Sequence, residues 1–233
     1  MGYSKLQEII DERKNMTEKE KQEQDRAIDL ANENERKLKK KAIAMDSIAK
    51  FPLRYKDASF DNYILDENPS FRRKQIALIN HLKSGYSMVM YGNNGTGKTH
   101  LAFSAIREQL LKGKTCKYIL APELYDEIKE SFSKDSAESS KEILDRYARY
   151  DYLVIDEIDK TYGSATEFIT LYRIINRRYE SMKPVVLITN AEKSVLIDII
   201  TPSSWERVVE YPGGSMFMDW ESYRKKSKTK EQV

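Results

Sequence analysis

Beyond residue 85 the chain alternates brief apolar runs with longer stretches of mixed polarity. Ser87-Met88-Val89-Met90-Tyr91, Lys117-Tyr118-Ile119-Leu120, Tyr152-Leu153-Val154-Ile155 and Pro184-Val185-Val186-Leu187-Ile188-Thr189 are the apolar runs. Their shortness and near-continuity predict strands buried on both faces. Between them the pattern predicts a helix from Thr99 to Lys112, a helical and polar stretch through Tyr150, and a helix from about Thr166 to Tyr179. Strands alternating with helices predict an α/β fold in which helices flank a central parallel sheet. Met216-Phe217-Met218 reads as a last strand closing that sheet, with its side chains in the core. No internal repeat is visible.

Before Phe51 the pattern changes. Residues 1–50 contain no proline and a single glycine, Gly2, which predicts helix. The apolar positions (Leu6, Ile9, Ile10, Met16, Ala27, Ile28, Leu30, Leu38, Ile43) form short stripes and no sustained heptad. A helix with so thin a stripe is marginal alone in water, so it is expected to gain order from a partner. The plainer alternative is a solvated tail. Phe51-Pro52 ends the segment, because proline disfavours helix at its predecessor and removes a donor. The expected division is a charged helical segment over 1–50, the α/β domain over 51–226, and a basic tail over 227–233.

Composition narrows the field. Charged residues make up 33% of the chain, against roughly 25% for ordinary globular proteins, and the first fifty positions carry the excess. With 40 Lys+Arg against 37 Asp+Glu the net charge is only +3. That is too little for a tight, whole-surface grip on duplex DNA, so any nucleic-acid contact must be local. The single cysteine, Cys116, excludes an internal disulfide and a cysteine-based zinc site, and it is expected to be buried and inert. No run approaches the roughly 18 apolar residues of a membrane helix, and the N-terminus has no signal-peptide core, so a cytoplasmic protein is expected.

The first chemistry-bearing motif is Gly92-Asn93-Asn94-Gly95-Thr96-Gly97-Lys98-Thr99. It matches G-x-x-x-x-G-K-[ST] and lies between a predicted strand and a predicted helix, the context a phosphate-binding loop needs. Glycines let successive backbone N–H groups face inward, and the following helix contributes its positive end. Lys98 is expected to reach the β- and γ-phosphates of ATP, and Thr99 to ligate Mg²⁺. The second is the run Tyr152 to Ile155, ending in Asp156-Glu157. Asp156 is placed to hold Mg²⁺, and Glu157 to orient and deprotonate an attacking water. The plain alternative is that the two acids open a loop. Asp159 is a nearby decoy. The spacing from Lys98 to Asp156 leaves room for another strand and two helical segments, which argues against the compact plan of small nucleoside kinases. Asn190 ends a further apolar run and could donate to the γ-phosphate or the lytic water, although asparagine also serves turns there.

From about Phe51 to Lys226 the chain resembles the bacterial and phage helicase loaders of the DnaC/DnaI-like group of AAA+ ATPases. The resemblance rests on Arg54 with Ser59-Phe60-Asp61-Asn62-Tyr63, Gly92 to Leu101, Pro122-Glu123-Leu124, Asp151 to Ile158, Leu187 to Asn190, Glu206-Arg207-Val208 and Asp219-Trp220-Glu221-Ser222-Tyr223-Arg224. It implies a P-loop AAA+ domain with a reduced or absent C-terminal lid, since only a short segment follows Asn190. It also implies that Phe60 and Tyr63 lie near the adenine and that His100 belongs to the nucleotide-binding stretch. Asn190 would be the first sensor. Arg207 would complete a neighbouring subunit's site, although the position four residues on, where such proteins often carry a second arginine, is Tyr211.

The same resemblance implies partners. Residues 1–50 would hold a DnaB-type replicative helicase through their apolar stripe. The ATPase domain would self-assemble on that helicase and contact single-stranded DNA. Within 125–150, Lys129, Phe132 and Lys134 supply the stacking and cationic tracking that single strands need, while the interleaved acids fit an ordinary surface helix equally well. The implied activity is ATP-dependent loading of the replicative helicase onto single-stranded DNA. The alternatives are a transposase-helper ATPase of the IstB type, binding duplex DNA, and a nucleotide-dependent scaffold with little turnover.

Overall fold

The structure is a computed structural model and describes residues 16–161 and 163–224. The chain divides into two compact units, Met1–Asp46 and Ser47–Val233. The segment after Arg224, including the whole basic tail over 227–233, lies outside the described residues, as do residues 1–15.

Helix α1 spans Glu18–Ala49. It starts at a reciprocal cap in which the Thr17 amide donates to Glu20 Oε2 at 2.8 Å and the Glu20 amide donates to Thr17 Oγ1 at 3.4 Å. Ion pairs Glu33–Lys37 and Glu35–Lys39 close at 2.6 Å one turn apart, each worth a few tenths of a kcal/mol. Its apolar residues Ile28, Leu30 and Leu38 are exposed.

The second unit is built on strands β1 (Met88–Gly92), β2 (Cys116–Leu120), β3 (Tyr152–Asp156), β4 (Val185–Ile188) and β5 (Gly214–Met218). They form one five-stranded parallel sheet in the order β2-β3-β4-β1-β5. The helices are α2 (Pro69–Ser84), α3 (Lys98–Leu111), α4 (Ala121–Glu130), α5 (Ser140–Arg149), α6 (Ala165–Glu180), α7 (Lys193–Ile200) and α8 (Pro202–Val209). Boundaries follow local chemistry. Asn68 caps α2 by accepting from the Ser70 amide, with Pro69 next in line. Ser139 with Glu142, and Ser164 with Glu167, form capping boxes at α5 and α6.

Strands β3 and β4 are buried along their whole length, and helices α4 to α8 cover one face through Leu124, Leu144, Leu171, Ile174 and Trp205. Each such side chain contributes about 2 kcal/mol of apolar burial. β5 departs from the expectation of a wholly core strand: Met218 is fully buried, but Phe217 is 42% exposed. The reason is topological, since β5 sits at the edge with β1 as its one neighbour. Cys116 is half-buried, and burial followed by the nearby Asp151 pushes its thiol up to about 12, so it stays protonated at neutral pH.

One fully buried cation braces the end of the sheet where the strands begin. Arg178 Nη1 donates to the carbonyls of Tyr147 and Tyr150, both at 2.9 Å, and Nε donates to the Pro184 carbonyl at 3.2 Å. Burial lowers its pKa to about 10, so it remains charged at neutral pH. At the other end, β4 lies between β1 and β3. The carboxyl ends of these three strands therefore converge on one crevice, where ligands bind in open α/β sheets.

Candidate nucleotide site

The loop after β1 wraps a cavity of about 480 Å³, within the range of small-molecule sites. Asn94, Gly95, Thr96, Gly97, Lys98, Thr99 and His100 line it, opposite Asp156, Glu157 and Asn190. Gly95 (φ +77°) and Gly97 (φ +95°) hold left-handed conformations, and space as well as φ demands glycine. A Cβ on Gly95 would lie 2.0 Å from Ser222 Oγ, and one on Gly97 would lie 2.6 Å from Tyr63 Cε2. Gly92 and Asn93 complete the turn out of β1, the Asn93 amide donating to the Met218 carbonyl at 3.0 Å.

Lys98 opens α3 and is buried; its Nζ donates to the carbonyls of Gly92 at 2.9 Å and Asn93 at 2.7 Å. Burial lowers its pKa to about 8, against the pull of Asp156 and Asp159. Thr99 Oγ1 donates to Asp156 Oδ2 at 2.9 Å, so the hydroxyl from the loop and the carboxylate from β3 meet although their strands are not neighbours. This all-oxygen pair suits a hard cation such as Mg²⁺. Glu157 follows with φ 56°, a conformation costly for a residue bearing a Cβ and concentrated at functional sites. Its amide donates to Asp156 Oδ1 at 2.7 Å.

Asp159 serves β4. Its Oδ1 accepts from Thr189 Oγ1 at 2.8 Å and from the Asn190 amide at 3.1 Å, fixing the strand exit that brings Asn190 to the cavity. Burial raises the Asp159 carboxyl, but these hydrogen bonds outweigh it and hold the pKa below the ordinary value.

The segment before β1 contributes unequally. Tyr63 lines the cavity, together with Arg54, Tyr55 and Asn62. Phe60 is buried elsewhere, under Lys83 at 5.6 Å, and is not among the lining residues. His100 is held by the Ser59 carbonyl at 3.1 Å. Arg207 lies apart from the cavity of its own chain, with its guanidinium 5.7 Å from the Tyr172 ring and 5.8 Å from the Tyr179 ring. Tyr211 is 94% exposed.

Of the residues with nucleic-acid chemistry, Phe132 and Lys134 are exposed in the turn between α4 and α5. Lys129 reaches back to the buried Glu167 at 3.5 Å. Tyr125 is core, and Arg146 is paired with Glu127 at 2.8 Å and Glu138 at 3.0 Å.

Two participants escaped the reading of the residues. Tyr118, on β2, donates to Asp156 Oδ2 at 2.9 Å and sits in an aromatic row with Phe103 and Tyr55, at centroid distances of 4.6 and 4.8 Å. Burial, then the neighbouring Asp156, raises its pKa, so it remains a donor. The Trp220–Arg224 segment walls the cavity. In the sequence it was visible only through resemblance.

Family comparison agrees with this geometry. The family described as IstB-like ATP binding protein matches residues 2–230. The chain belongs to this family. Its relatives include the replicative helicase loader DnaC of Escherichia coli strain K12, 32% identical over 149 residues that cover 62% of this chain and 59% of the relative. The DnaC of Buchnera aphidicola subsp. Baizongia pistaciae is 29% identical over 180 residues, 74% of this chain and 71% of the relative. Among solved structures, the DnaC helicase loader superposes with a TM-score of 0.60 at 19% identity, covering 71% of this chain and 99% of that one. AMPPCP-bound DnaA from Aquifex aeolicus gives 0.59 at 23% identity, covering 78% and 56%. These likenesses establish the AAA+ P-loop fold. No helix among the described residues is long and apolar enough to cross a membrane.

Proposed function

We propose that this protein is an ATP-hydrolysing loader that places a replicative DnaB-type helicase on single-stranded DNA. The observation that carries the ATPase part is the meeting of Thr99 and Asp156 at 2.9 Å beside Lys98, with Glu157 and Asn190 on the same cavity. The loop amides and Lys98 bind the triphosphate, and Thr99 and Asp156 hold Mg²⁺. When bound, Mg²⁺ neutralises charge on the β- and γ-phosphates. Glu157 accepts the proton of the attacking water, and Asn190 orients that water or the γ-phosphate. Arg207 acts on a neighbouring copy, because it stands away from its own cavity.

The loader part rests on the relatives named replicative helicase loader, of which the Escherichia coli protein is matched over 59% of its length. Residues 1–50 take the role of helicase adaptor, since α1 carries exposed apolar residues among its ion-paired side chains. Phe132 and Lys134 are the exposed stacking and phosphate-tracking pair for the single strand. The protein assembles as a homo-oligomer on the helicase. A transposase-helper role is the second reading, because the matched family is described as IstB-like.

The decisive experiment measures helicase capture by the full chain and by a chain lacking residues 1–50, then ATP turnover with single-stranded and with duplex DNA. Capture lost on truncation, with turnover stimulated by single strands, is the expected result. Stimulation by duplex DNA together with a transposase, and no helicase capture, would replace the loader by the helper.

A further inference from the structure

A phosphate cradle works only if successive N–H groups face the ligand, which obliges the intervening carbonyls to face away. Carbonyls turned into the protein must then find donors, because a buried acceptor left unpaired is costly. Here the outward carbonyls of the loop are met from two distant parts of the chain. The Thr96 carbonyl accepts from Tyr63 OH at 2.8 Å and from Trp220 Nε1 at 2.9 Å. The Gly95 carbonyl accepts from the Tyr223 amide at 2.9 Å. Ser222 presses on Gly95 and Tyr63 on Gly97 so closely that no Cβ fits. Trp220 is 2% exposed, so its indole N–H has lost water and depends on this acceptor. Lys74 further anchors the segment through Asp219 at 3.1 Å.

We propose that Trp220 and Tyr63 are positioning residues of the phosphate loop, jointly holding the Thr96 carbonyl outward so that the loop amides stay aimed at a bound triphosphate. This rests on the reading of the cavity as an ATP site. The C-terminal strap is thereby part of the binding machinery, and the segment before β1 acts through the loop as well as through the cavity wall. The two donors share one acceptor, so either alone keeps the carbonyl satisfied. Losing both orphans it.

The test uses the full chain with Trp220→Phe, Tyr63→Phe and the double variant, each of which keeps an aromatic ring in place. Affinity is read with a fluorescent ATP analogue, and loop alignment is read without nucleotide from hydrogen exchange of the amides from Gly95 to Lys98. Each single variant is expected to weaken binding about 3- to 5-fold, and the double variant by more than the product of the two, about 30-fold or beyond. Exchange at the loop amides should quicken in the same order. A merely structural role would lower the melting temperature while leaving the affinity of the folded protein and the local exchange unchanged. A folded double variant with wild-type affinity and exchange would overturn the proposal, and the single variants decide it should the double variant not fold. A wild-type chain that binds no ATP would overturn the ATP-site reading instead, while unaltered loop exchange in the variants would separately refute the tether.

Discussion

The phosphate loop and the α4–α5 segment both drew attention in the sequence through polar and aromatic residues, but the two are wired differently. In the loop, the decisive partners arrive from far along the chain: Tyr63 and Trp220 on the Thr96 carbonyl, and Asp156 on Thr99. In α4–α5 two of the cations are taken by acids: Arg146 pairs with Glu127 and Glu138 of the same segment, and Lys129 reaches Glu167 on α6. A motif whose spacing is dictated by ligand geometry stays a site when folded. A mixture of charged and aromatic residues becomes a surface that in part satisfies itself.

The largest test of this contrast is Lys98→Ala, which should lower ATP affinity by about 100-fold or more, since it removes the cation that faces the phosphates. Equilibrium titration with labelled ATP checks it. Glu157→Gln comes next: binding should persist and phosphate release in single turnovers fall about 100-fold or more, as expected for loss of a general base. Normal turnover would reassign the base.

A smaller effect is expected from pH. Lys98 titrates near 8, below its ordinary 10.5. The unfolded chain therefore holds this proton where the folded, nucleotide-free chain has released it, and between those values the lysine's contribution to stability rises with pH. A triphosphate needs the ammonium form, so ATP affinity should move oppositely, falling by up to tenfold per pH unit above 8. Isothermal titration at pH 7 and pH 9 reads the sign. The smallest effects belong to the α4–α5 turn. The double change Phe132→Ala with Lys134→Ala should weaken single-stranded DNA binding several-fold and flatten its salt dependence by about 0.7. Arg146→Ala should instead lower stability by about 1 kcal/mol and leave DNA affinity alone. Loss of DNA binding in Arg146→Ala alone would invert the assignment.

What the sequence discloses follows the same division. β1, β3 and β4 are legible because strands buried on both faces must be apolar throughout, and the glycine-rich turn because few other purposes require it. The loop, Asp156, Glu157 and Asn190 share a cavity because each stands at or just beyond the carboxyl end of such a strand. Tyr118 was not legible as a partner of Asp156: its role arises from β2 lying beside β3, which only the assembled sheet fixes. Phe60 shows the reverse, since nearness in sequence to Tyr63 did not bring it to the cavity wall. Arg178 lies outside every motif of the sequence, and nothing local announces that its guanidinium finds backbone carbonyls from two other segments.

That arginine also bears on where the domain can move. Arg178 lashes the entry to β4 and the exit of α5 together, which ties down the rear of the sheet. A rearrangement on nucleotide binding is therefore expected at the front, among the loop, the strap and the strand exits.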